Sequence, residues 1–332
     1  MIGGSAGAME AVATLLSSLP DNFPAALCIV LHQGSRLEGG AALLRKIRDL
    51  TSLDGRLAED GAALLPGRFY LCPPDMHLMI TSHRLHLSRG VRVNHVRPAI
   101  DLAFRSAAVN YSNACIGVLL SGLLDDGVAG LSAIHRCGGL TVVQDPKEAL
   151  YSEMPENAIA TLVPDHVVTG NEMGPLLAQL VTQRLSEARP IPPEIMLEHQ
   201  FDVDSGDDFD SMNRLGSLTA LSCPDCGGPL WEISDKGPVR YRCHIGHSMT
   251  GRGLLVGQER HVEGALWTAV RVLEEKLRAQ DRLARSEGTA GRQYAAQRFA
   301  DSAAETRKQI RLLQSLLTGH VPQSIATSKP SS

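Results

Sequence analysis

Short apolar runs alternate with helical patterns through the first half of the chain, and this alternation limits the folds open to it. The run 26–31 is apolar at every position, as expected for a strand buried on both faces of a sheet. Runs of the same kind occur at 116–120 and 140–143, and a helical stretch at 128–136 lies between them. Strand, helix and strand in this order favour parallel pairing. The sequence therefore predicts an α/β domain with a layered, mostly parallel sheet flanked by helices.

Two further patterns refine this picture. Apolar residues recur at helical spacing over residues 6–19, and Pro20 ends the pattern, so a helix is predicted there. Residues 69–87 break the alternation and are typical of two antiparallel strands, with the turn near His83 and Arg84. We therefore expect one antiparallel hairpin within the α/β domain.

Composition and charge exclude several classes of protein. The 332 residues suit two or three domains, and the formal net charge of -4 argues against nucleic acid, whose binding surfaces are basic. No run of about 18 or more apolar residues occurs, so we expect no direct insertion into a membrane. We find no secretory signal either. A cytoplasmic protein is expected, whose seven cysteines are thiols or metal ligands rather than disulfides.

The character of the sequence changes after the α/β domain, which we place at residues 1–185. Residues 186–220 predict a linker, stiff at its prolines and acidic farther along, which we interpret as a solvated tether. A small Cys/His-rich module over 221–250, a helical hairpin over 251–318 and a disordered tail over 319–332 complete the prediction. The acidity of the linker lies in five aspartates: Asp202, Asp204, Asp207, Asp208 and Asp210.

The stretch Gly3-Gly4-Ser5-Ala6-Gly7 opens the first predicted helix and fits the pattern G-x-S-x-G. In that pattern a sharp turn exposes a serine at the top of a parallel sheet, and N–H groups at the helix start can stabilise an oxyanion. Serine is also the commonest N-cap residue, and a glycine-rich helix start is a general anion site. The motif alone therefore leaves a catalytic serine and a simple helix start as alternatives.

A nucleophilic serine requires a base and an acid that orients the base, and the sequence offers both. His32 directly follows the run 26–31, and Asp126 lies in the loop after the run 116–120. Because the carboxyl ends of parallel strands share one edge, Ser5, His32 and Asp126 can converge there. Each has a structural alternative, since a histidine can bond a loop carbonyl and Asp-Gly is a common turn. The chain order Ser-His-Asp excludes the α/β-hydrolases, in which the acid precedes the histidine.

Residues 3–181 resemble the catalytic domain of the chemotaxis protein-glutamate methylesterases, the CheB family. The matching motifs fall in the order of the family and cover the first half of the chain. They are Gly-Gly-Ser-Ala-Gly-Ala-Met-Glu-Ala at 3–11, Leu31-His32, Asn94 with Arg97-Pro98-Ala99-Ile100-Asp101, Leu120-Ser121-Gly122, Asp126-Gly127-Val128-Ala129-Gly130 and Met154-Pro155.

The resemblance implies a serine hydrolase that removes methyl esters from receptor glutamates, releases methanol and often deamidates glutamine. It implies Ser5 as nucleophile, His32 as base and Asp126 as acid, with backbone N–H groups near Ser5 and Ala6 binding the oxyanion and no cofactor for catalysis. The implied partner is a methylated chemoreceptor or a related signalling protein. The expected surroundings of the oxyanion and the substrate are Ala6, Gly7, Arg97 and Leu123.

Some residues of the expected cleft have competing interpretations. For Arg97, an ion pair that fixes a loop is the structural alternative to contact with substrate. His77 and His95 are weaker candidates for the same cleft than His32.

Three features depart from the family. Only Met1 and Ile2 precede the serine turn, so we expect the first strand of the family to be lost or the start to be assigned too late. Ala8 stands where the family usually has glycine, which is a mild change. The receiver domain of the family is not found, so phosphorylation control in its usual form is not expected. The alternative function is therefore a signalling adaptor that keeps the fold with little or no activity.

The Cys/His-rich module carries the spacing of a zinc site. Two ligand pairs lie on tight turns, Cys223-Pro224-Asp225-Cys226 and Cys243-His244-Ile245-Gly246-His247, as tetrahedral zinc requires. A C-x-x-C redox pair lacks its βαβ setting here. A site closed by four protein ligands is structural, so the module is predicted to be zinc-ribbon-like. The predicted ligands are Cys223, Cys226, Cys243 and His247, with His244 as the alternative to the fourth.

Alternatives stay open for two other parts of the chain. The apolar stripes of the helical hairpin can pack on each other or form a dimer through the C-terminal helices. The turn at residues 3–7 can also cradle a nucleotide, although the lysine of a P-loop and the third glycine of a dinucleotide fingerprint are missing.

Overall fold

The computed structural model describes residues 1–32, 37–185, 187–204, 209–233 and 237–318. The chain divides into two compact units, Met1–Leu255 and Val256–Ser332. The predicted disordered tail, together with Asp207 and Asp208 of the predicted linker, lies outside the described residues.

A seven-stranded sheet forms the centre of the first unit, and all of its neighbouring strands pair in parallel. Its order is β3-β4-β2-β1-β7-β8-β9. The strands in chain order are β1 Ile2–Gly4, β2 Leu27–Leu31, β3 Asp54–Leu57, β4 Arg68–Leu71, β5 His77–Thr81, β6 Arg84–Ser88, β7 Ile116–Leu119, β8 Leu140–Gln144, β9 His166–Val168, β10 Ser217–Ser222, β11 Pro229–Ile233, β12 Arg240–Cys243 and β13 Ser248–Thr250.

Helices cover both faces of this sheet, because each central strand is apolar on both sides. In β2, Cys28 and Val30 belong to one apolar cluster, while Ile29 and Leu31 belong to the other, as the two-residue period of a strand dictates. Helices α1, α2 and α6 pack on one face and α3, α4 and α5 on the other. The helices are α1 Ala8–Ser17, α2 Leu37–Arg48, α3 Ile100–Tyr111, α4 Val128–Arg136, α5 Glu153–Thr161, α6 Gly170–Leu180, α7 Pro193–Val203, α8 Phe209–Leu215, α9 Gly251–Thr289 and α10 Gln293–Thr318.

Two details of the sheet differ from the sequence predictions. The first strand is present rather than lost, because β1 bonds β2 on one side and β7 on the other. The antiparallel hairpin comprises only β5 and β6, whereas Phe69 lies in β4 of the parallel sheet. Phe69 is fully buried. Alternation within a single strand does not reveal its partner, which explains the error at Phe69.

The predicted linker is folded where the structure describes it, so its interpretation as a solvated tether is corrected. It contains α7 and α8, and Asp202 of α7 is buried. Asp202 pairs with Arg105 of α3 at 2.8 Å and with Arg242 of β12 at 2.7 Å. Arg105 and Arg242 lie far from Asp202 in sequence. The local density of acidic residues therefore predicts a solvated segment, although Asp202 is buried and paired.

A four-stranded antiparallel sheet follows, in the order β10-β11-β12-β13. We call this sheet with its connections, residues 217–250, the C-terminal module. Trp231 of β11 is fully buried against Met212 and Leu215 of α8, and its Nε1–H donates to Asn213 Oδ1 at 2.8 Å. The predicted small module between the α/β domain and the helices is therefore a folded sheet.

The second unit is a helical hairpin. Gly291 turns the chain between the two helices with φ +75°, and Asp281 of α9 pairs with Arg307 of α10 at 2.7 Å. Ala303 and Ile310 of α10 are buried, as the apolar stripe predicts. Dimerisation through these helices stays a prediction. None of the helices in the described ranges combines the length and the apolar character needed to cross a bilayer.

Candidate active site

Three neighbouring strands bring the predicted catalytic residues to one edge of the sheet. Ser5 directly follows β1, His32 directly follows β2, and the loop after β7 carries Asp126. Since β2, β1 and β7 are adjacent and parallel, their carboxyl ends meet at this edge.

The three side chains form a continuous chain of hydrogen bonds. His32 Nδ1 lies 2.9 Å from Ser5 Oγ, and His32 Nε2 lies 2.8 Å from Asp126 Oδ2. An ionised carboxylate only accepts hydrogen bonds, so the ring proton belongs on Nε2, and Nδ1 is left to accept the serine proton. The His32 side chain is 18% exposed and that of Asp126 is 4% exposed. The base is therefore accessible while the acid is shielded from water.

Several donors hold Asp126 as a carboxylate. Asn94 Nδ2 donates to Oδ1 at 2.8 Å, and the Ile100 N–H donates to Oδ2 at 2.7 Å. Burial by itself raises the pKa of a carboxyl group, but the hydrogen bonds from His32, Ile100 and Asn94 hold the pKa of Asp126 below its ordinary value. Asp126 therefore stays ionised and can keep His32 in the tautomer that catalysis needs.

Asp101 is a second buried carboxyl group beside this acid. Asn94 Nδ2 also donates to Asp101 Oδ2 at 2.8 Å, and the Gly130 N–H donates to Oδ1 at 2.7 Å. Burial, reinforced by the charge of Asp126, raises the pKa of Asp101. Asn94 thus bridges two carboxyl groups. The sequence motif that contains Asn94 does not predict this bridge.

A left-handed glycine shapes the turn at the nucleophile. Gly7 has φ +75°, and a Cβ there would lie 2.8 Å from Ser121 Oγ, so a larger residue does not fit. The Ser5 N–H donates to Ser121 O at 2.9 Å and is therefore not available to an oxyanion. This corrects the expectation that the N–H group of Ser5 takes part in binding the oxyanion. Within the described ranges, no hydrogen bond engages the N–H groups of Ala6 and Gly7. Of the three N–H groups from Ser5 to Gly7, those of Ala6 and Gly7 are therefore the candidates for binding an oxyanion.

The other residues expected around the substrate have distinct positions. Arg97 Nη2 pairs with Asp75 Oδ1 at 2.7 Å, and Arg97 Nη1 donates to Gly90 O at 2.7 Å. These contacts match the alternative interpretation of Arg97, in which an ion pair fixes a loop. Leu123 is 49% exposed and follows Gly122, where a Cβ would lie 3.0 Å from Ser5 Cβ. Leu123 therefore lies on the surface beside Ser5.

The two weaker histidine candidates are held by partners outside the hydrogen-bond chain. His77 Nε2 donates to Val91 O at 2.9 Å, and His77 Nδ1 accepts the Ala99 N–H at 3.2 Å. Burial lowers the pKa of His77. His95 Nδ1 lies 3.1 Å from Asp225 Oδ1 in the C-terminal module. His77 therefore connects β5 to the segment 91–99, and His95 connects its loop to the C-terminal module.

Comparison with known proteins decides the family. The family model for CheB methylesterase matches residues 1–177. The chain belongs to the CheB methylesterase family. A putative protein-glutamate methylesterase/protein-glutamine glutaminase of Leptospira interrogans is 36% identical over 188 residues, which cover 56% of this chain and 96% of that relative. A protein-glutamate methylesterase/protein-glutamine glutaminase of Yersinia pestis is 34% identical over 184 residues, 54% of this chain and 52% of the relative.

A solved CheB structure agrees with the fold. The CheB methylesterase catalytic domain of Thermotoga maritima superimposes with a TM-score of 0.52 at 29% identity, and the match covers 54% of this chain and 96% of that domain. The predicted family, the parallel α/β fold and the class of enzyme, a carboxylic ester hydrolase, are thereby confirmed. The match to the CheB family model ends at residue 177, so the C-terminal module and the helical hairpin extend beyond it.

The C-terminal module of this CheB homologue contains a cluster of four candidate metal ligands, which we call the metal-ligand cluster. Cys243 Sγ lies 3.6 Å from Cys226 Sγ and 3.6 Å from His247 Nδ1. Tetrahedral zinc with Zn–S bonds near 2.3 Å places its ligand atoms roughly 3.8 Å apart, so the donor set and its spacing fit zinc. His244 instead stacks on Phe209, with ring centroids 5.5 Å apart. The four residues whose ligand atoms lie within 4.8 Å of one another are Cys223, Cys226, Cys243 and His247.

Proposed function

We propose that this protein hydrolyses methyl esters of glutamyl side chains in chemoreceptors or related signalling proteins of the cytoplasm. The observation that carries the proposal is the hydrogen-bond chain from Ser5 through His32 to Asp126 at the open edge of the sheet. The names of the Leptospira and Yersinia relatives support the substrate class. The seven cysteines, all free thiols, suit a reducing compartment.

In this proposal each group of the site has a defined part in the reaction. His32 Nδ1 takes the proton of Ser5 Oγ as the oxygen attacks the ester carbonyl, and Asp126 stabilises the imidazolium. The N–H groups of Ala6 and Gly7 bind the oxyanion. Collapse of the tetrahedral intermediate returns the proton to the departing methoxide, so methanol leaves and an acyl-serine remains. Water then attacks the acyl carbonyl as His32 takes its proton. The bond between the carbonyl carbon and Ser5 Oγ breaks, His32 returns the proton to Ser5 Oγ, and the glutamate side chain is released.

The same site can act on glutamine, because only the leaving group changes. In that reaction the proton from His32 goes to the amide nitrogen, and ammonia leaves in place of methanol. Both relatives carry the name protein-glutamine glutaminase as well.

Zinc has a structural part in this proposal and no part in the chemistry. Cys223, Cys226, Cys243 and His247 would hold it with four protein ligands, which leaves no open position for substrate or water. Catalysis itself uses no cofactor.

Release of methanol from a methyl-esterified receptor peptide tests the proposal. The purified full chain is expected to release methanol in proportion to enzyme concentration and to leave a peptide with free glutamate. A folded protein that releases neither methanol nor ammonia would favour the alternative, a signalling adaptor that keeps the methylesterase fold.

An apolar rim beside Ser5 suits a receptor segment. Leu150 is 71% exposed and Tyr151 is 42% exposed. The Tyr151 carbonyl accepts the Gly122 N–H at 3.0 Å, and a Cβ on Gly7 would lie 2.8 Å from Leu150 Cβ, so both residues adjoin the nucleophile turn. Together with Leu123, they form an exposed patch whose burial on substrate would favour binding.

Leu150→Ser is expected to raise KM for a receptor peptide by about ten-fold, because burial of a leucine side chain stabilises a complex by roughly 1.5–3 kcal/mol. The value of kcat should change little, since Leu150 is not part of the hydrogen-bond chain from Ser5 to Asp126. Steady-state kinetics on the methylated peptide checks the split. Val163→Ser is the matched control, because Val163 is 86% exposed and precedes the edge strand β9. An unchanged KM in Leu150→Ser would rule out this rim as the docking surface.

A further inference from the structure

Strand β13 of the C-terminal module contacts the loop that supports the catalytic acid. The Asn94 N–H donates to Ser248 O at 2.8 Å, and the Thr250 N–H donates to Asn94 Oδ1 at 3.0 Å. Val93 and Ser248 also form an isolated parallel bridge. The strand therefore bonds both the backbone and the side chain of Asn94.

These contacts fix the orientation of the Asn94 amide. The Thr250 N–H identifies the side-chain oxygen, so the amide nitrogen faces the carboxyl groups of Asp126 and Asp101, each at 2.8 Å. A carboxamide has one oxygen and two N–H groups, and each of them has a partner here. Loss of the Thr250 donor would leave the amide free to turn, and Asp126 would lose a donor that stabilises its charge.

The backbone of this loop needs support. Asn94 has φ +50° and His95 has φ +62°, a left-handed conformation that persists only where neighbouring structure holds it. The support for His95 comes from the same module and the segment after it. Its Nδ1 binds Asp225, which lies between Cys223 and Cys226, and its Nε2 donates to Gly253 O at 2.8 Å.

Thr250 also contacts the residue next to the acid. Its hydroxyl donates to Asp125 Oδ1 at 2.8 Å and accepts the Gly253 N–H at 3.0 Å. Thr250 is buried. One residue of the module therefore contacts Asn94 through its backbone and Asp125 through its side chain. Asn94 donates a hydrogen bond to Asp126, and Asp125 directly precedes Asp126 in the chain.

The module has a small apolar core to hold β13 in place. Around β13, the buried Leu230 and Met249 pack with the predicted metal ligands Cys223 and Cys243 and with Leu254 of α9, whereas Trp231 and Ile233 pack against α8. A core of this size does not supply enough burial for an independent fold, so a bound metal would be part of its stability. Strand β13 begins directly after the ligand His247, so the position of the strand depends on that ligand cluster.

We propose that the metal-ligand cluster positions the catalytic acid: zinc held by Cys223, Cys226, Cys243 and His247 fixes β13, and Thr250 of β13 then orients Asn94 and with it Asp126. Thr250 is a positioning residue, and the metal takes no part in the reaction. The proposal rests on the proposed function for its effect on turnover, whereas the coupling between the module and the Asn94 loop holds independently of it.

Removal of zinc from the full chain tests the coupling directly. Hydrogen–deuterium exchange followed by mass spectrometry is expected to show faster exchange over residues 93–101 and 248–250 after treatment with a chelator. Exchange in β8 should stay unchanged, and added zinc should restore the slow exchange. Turnover of the methylated peptide should fall on the order of 10- to 100-fold, because a small displacement of catalytic groups has effects of that size. KM should stay the same.

The outcomes separate the two proposals. A coupled exchange response in a protein without methanol release would sink the proposed function and keep the coupling. Faster exchange confined to the module, with residues 93–101 and turnover unchanged, would overturn the coupling. A folded chain that retains no zinc after purification and binds none when zinc is added would overturn it as well.

Thr250→Val tests the side-chain contact of Thr250, because it removes the hydroxyl that donates to Asp125 Oδ1 and leaves the Thr250 N–H to Asn94 and the four ligands intact. We expect full zinc content, about ten-fold lower kcat and unchanged KM, because Asp125 directly precedes Asp126. Thr219→Val is the matched control in the same module, since the Thr219 hydroxyl donates to Leu230 O in the strand pair β10–β11. Equal effects of the two variants on kcat would show that Thr250 contributes only to the stability of the module.

Discussion

Ser5→Ala is expected to lower kcat for a glutamyl methyl ester on the order of 10⁶-fold, and Asp126→Asn about 10⁴-fold. The first change removes the attacking oxygen. The second keeps the shape of the acid but replaces an acceptor by an amide, which can donate to His32 Nε2. The ring proton then moves to Nδ1, and His32 can no longer accept the proton of Ser5.

The surroundings of Asp126 make this change of tautomer the expected one. The Ile100 N–H and the Asn94 amide both donate to the carboxylate, so the amide nitrogen of an asparagine at position 126 would face a donor on either side. The ring of His32 is the neighbour that can change from donor to acceptor by moving its proton.

Methanol release from the methylated peptide, measured at equal concentrations of folded protein, checks the size and the order of the two losses. Ser17→Ala is the control, because the Ser17 hydroxyl lies exposed on α1 and bonds only Thr14 O within that helix. Melting temperatures of all three variants should stay close to that of the unchanged protein. Wild-type turnover in Ser5→Ala would disprove the role of Ser5 as the nucleophile.

The catalytic group could be predicted from the sequence because parallel strands impose a rule on position. Residues that directly follow β1 and β2, and the loop after β7, must meet at one edge whatever the details of packing. Ser5, His32 and Asp126 are of three residue types with complementary chemistry, so their convergence could be inferred without coordinates. The alternation of strands and helices along the chain likewise predicts the layered, mostly parallel α/β domain.

The support around the acid could not be predicted in this way. Asn94 belongs to a recognised motif, but its bonds to Asp101 and Asp126 depend on the left-handed backbone at Asn94 and His95. Local sequence propensity does not predict positive φ values at these two residues. Its bond to Thr250 joins segments far apart in sequence. Contacts set by the docking of one module on another have no local pattern, so the module was predicted as a separate element.

The misinterpretation of the acidic segment has the same origin and leads to the second large effect. Asp202→Asn is expected to lower the free energy of unfolding by about 3–5 kcal/mol, because it removes the charged carboxylate that two buried guanidinium groups share. The side chains of Asp202, Arg105 and Arg242 are only 2–3% exposed. Glu198 and Arg240 belong to the same buried ion network, in which Glu198 bridges Arg105 at 3.0 Å and Arg240 at 2.7 Å.

The pH dependence of stability follows from the same contacts. Burial alone would raise the pKa of Asp202, but the charges of Arg105 and Arg242 lower it further than burial raises it. The folded-state pKa is therefore below the unfolded value, and the contribution of Asp202 to stability is present above the unfolded pKa and is lost as the pH falls through the folded pKa. Asp202→Asn should flatten the loss of stability on the acid side.

Denaturant unfolding at several pH values measures both effects of Asp202→Asn. Asp281→Asn is the matched control, because Asp281 and Arg307 form a pair whose side chains are 31% and 44% exposed, and exposed pairs contribute only about 0–1 kcal/mol. The network joins α3, α7 and β12, so its loss should also loosen the module that supports Asn94. Esterase turnover should then fall at denaturant concentrations too low to unfold the protein. If Asp202→Asn changes stability as little as Asp281→Asn does, water must reach Arg105 and Arg242 and replace the lost carboxylate. The ion network would then contribute little to the stability of the module.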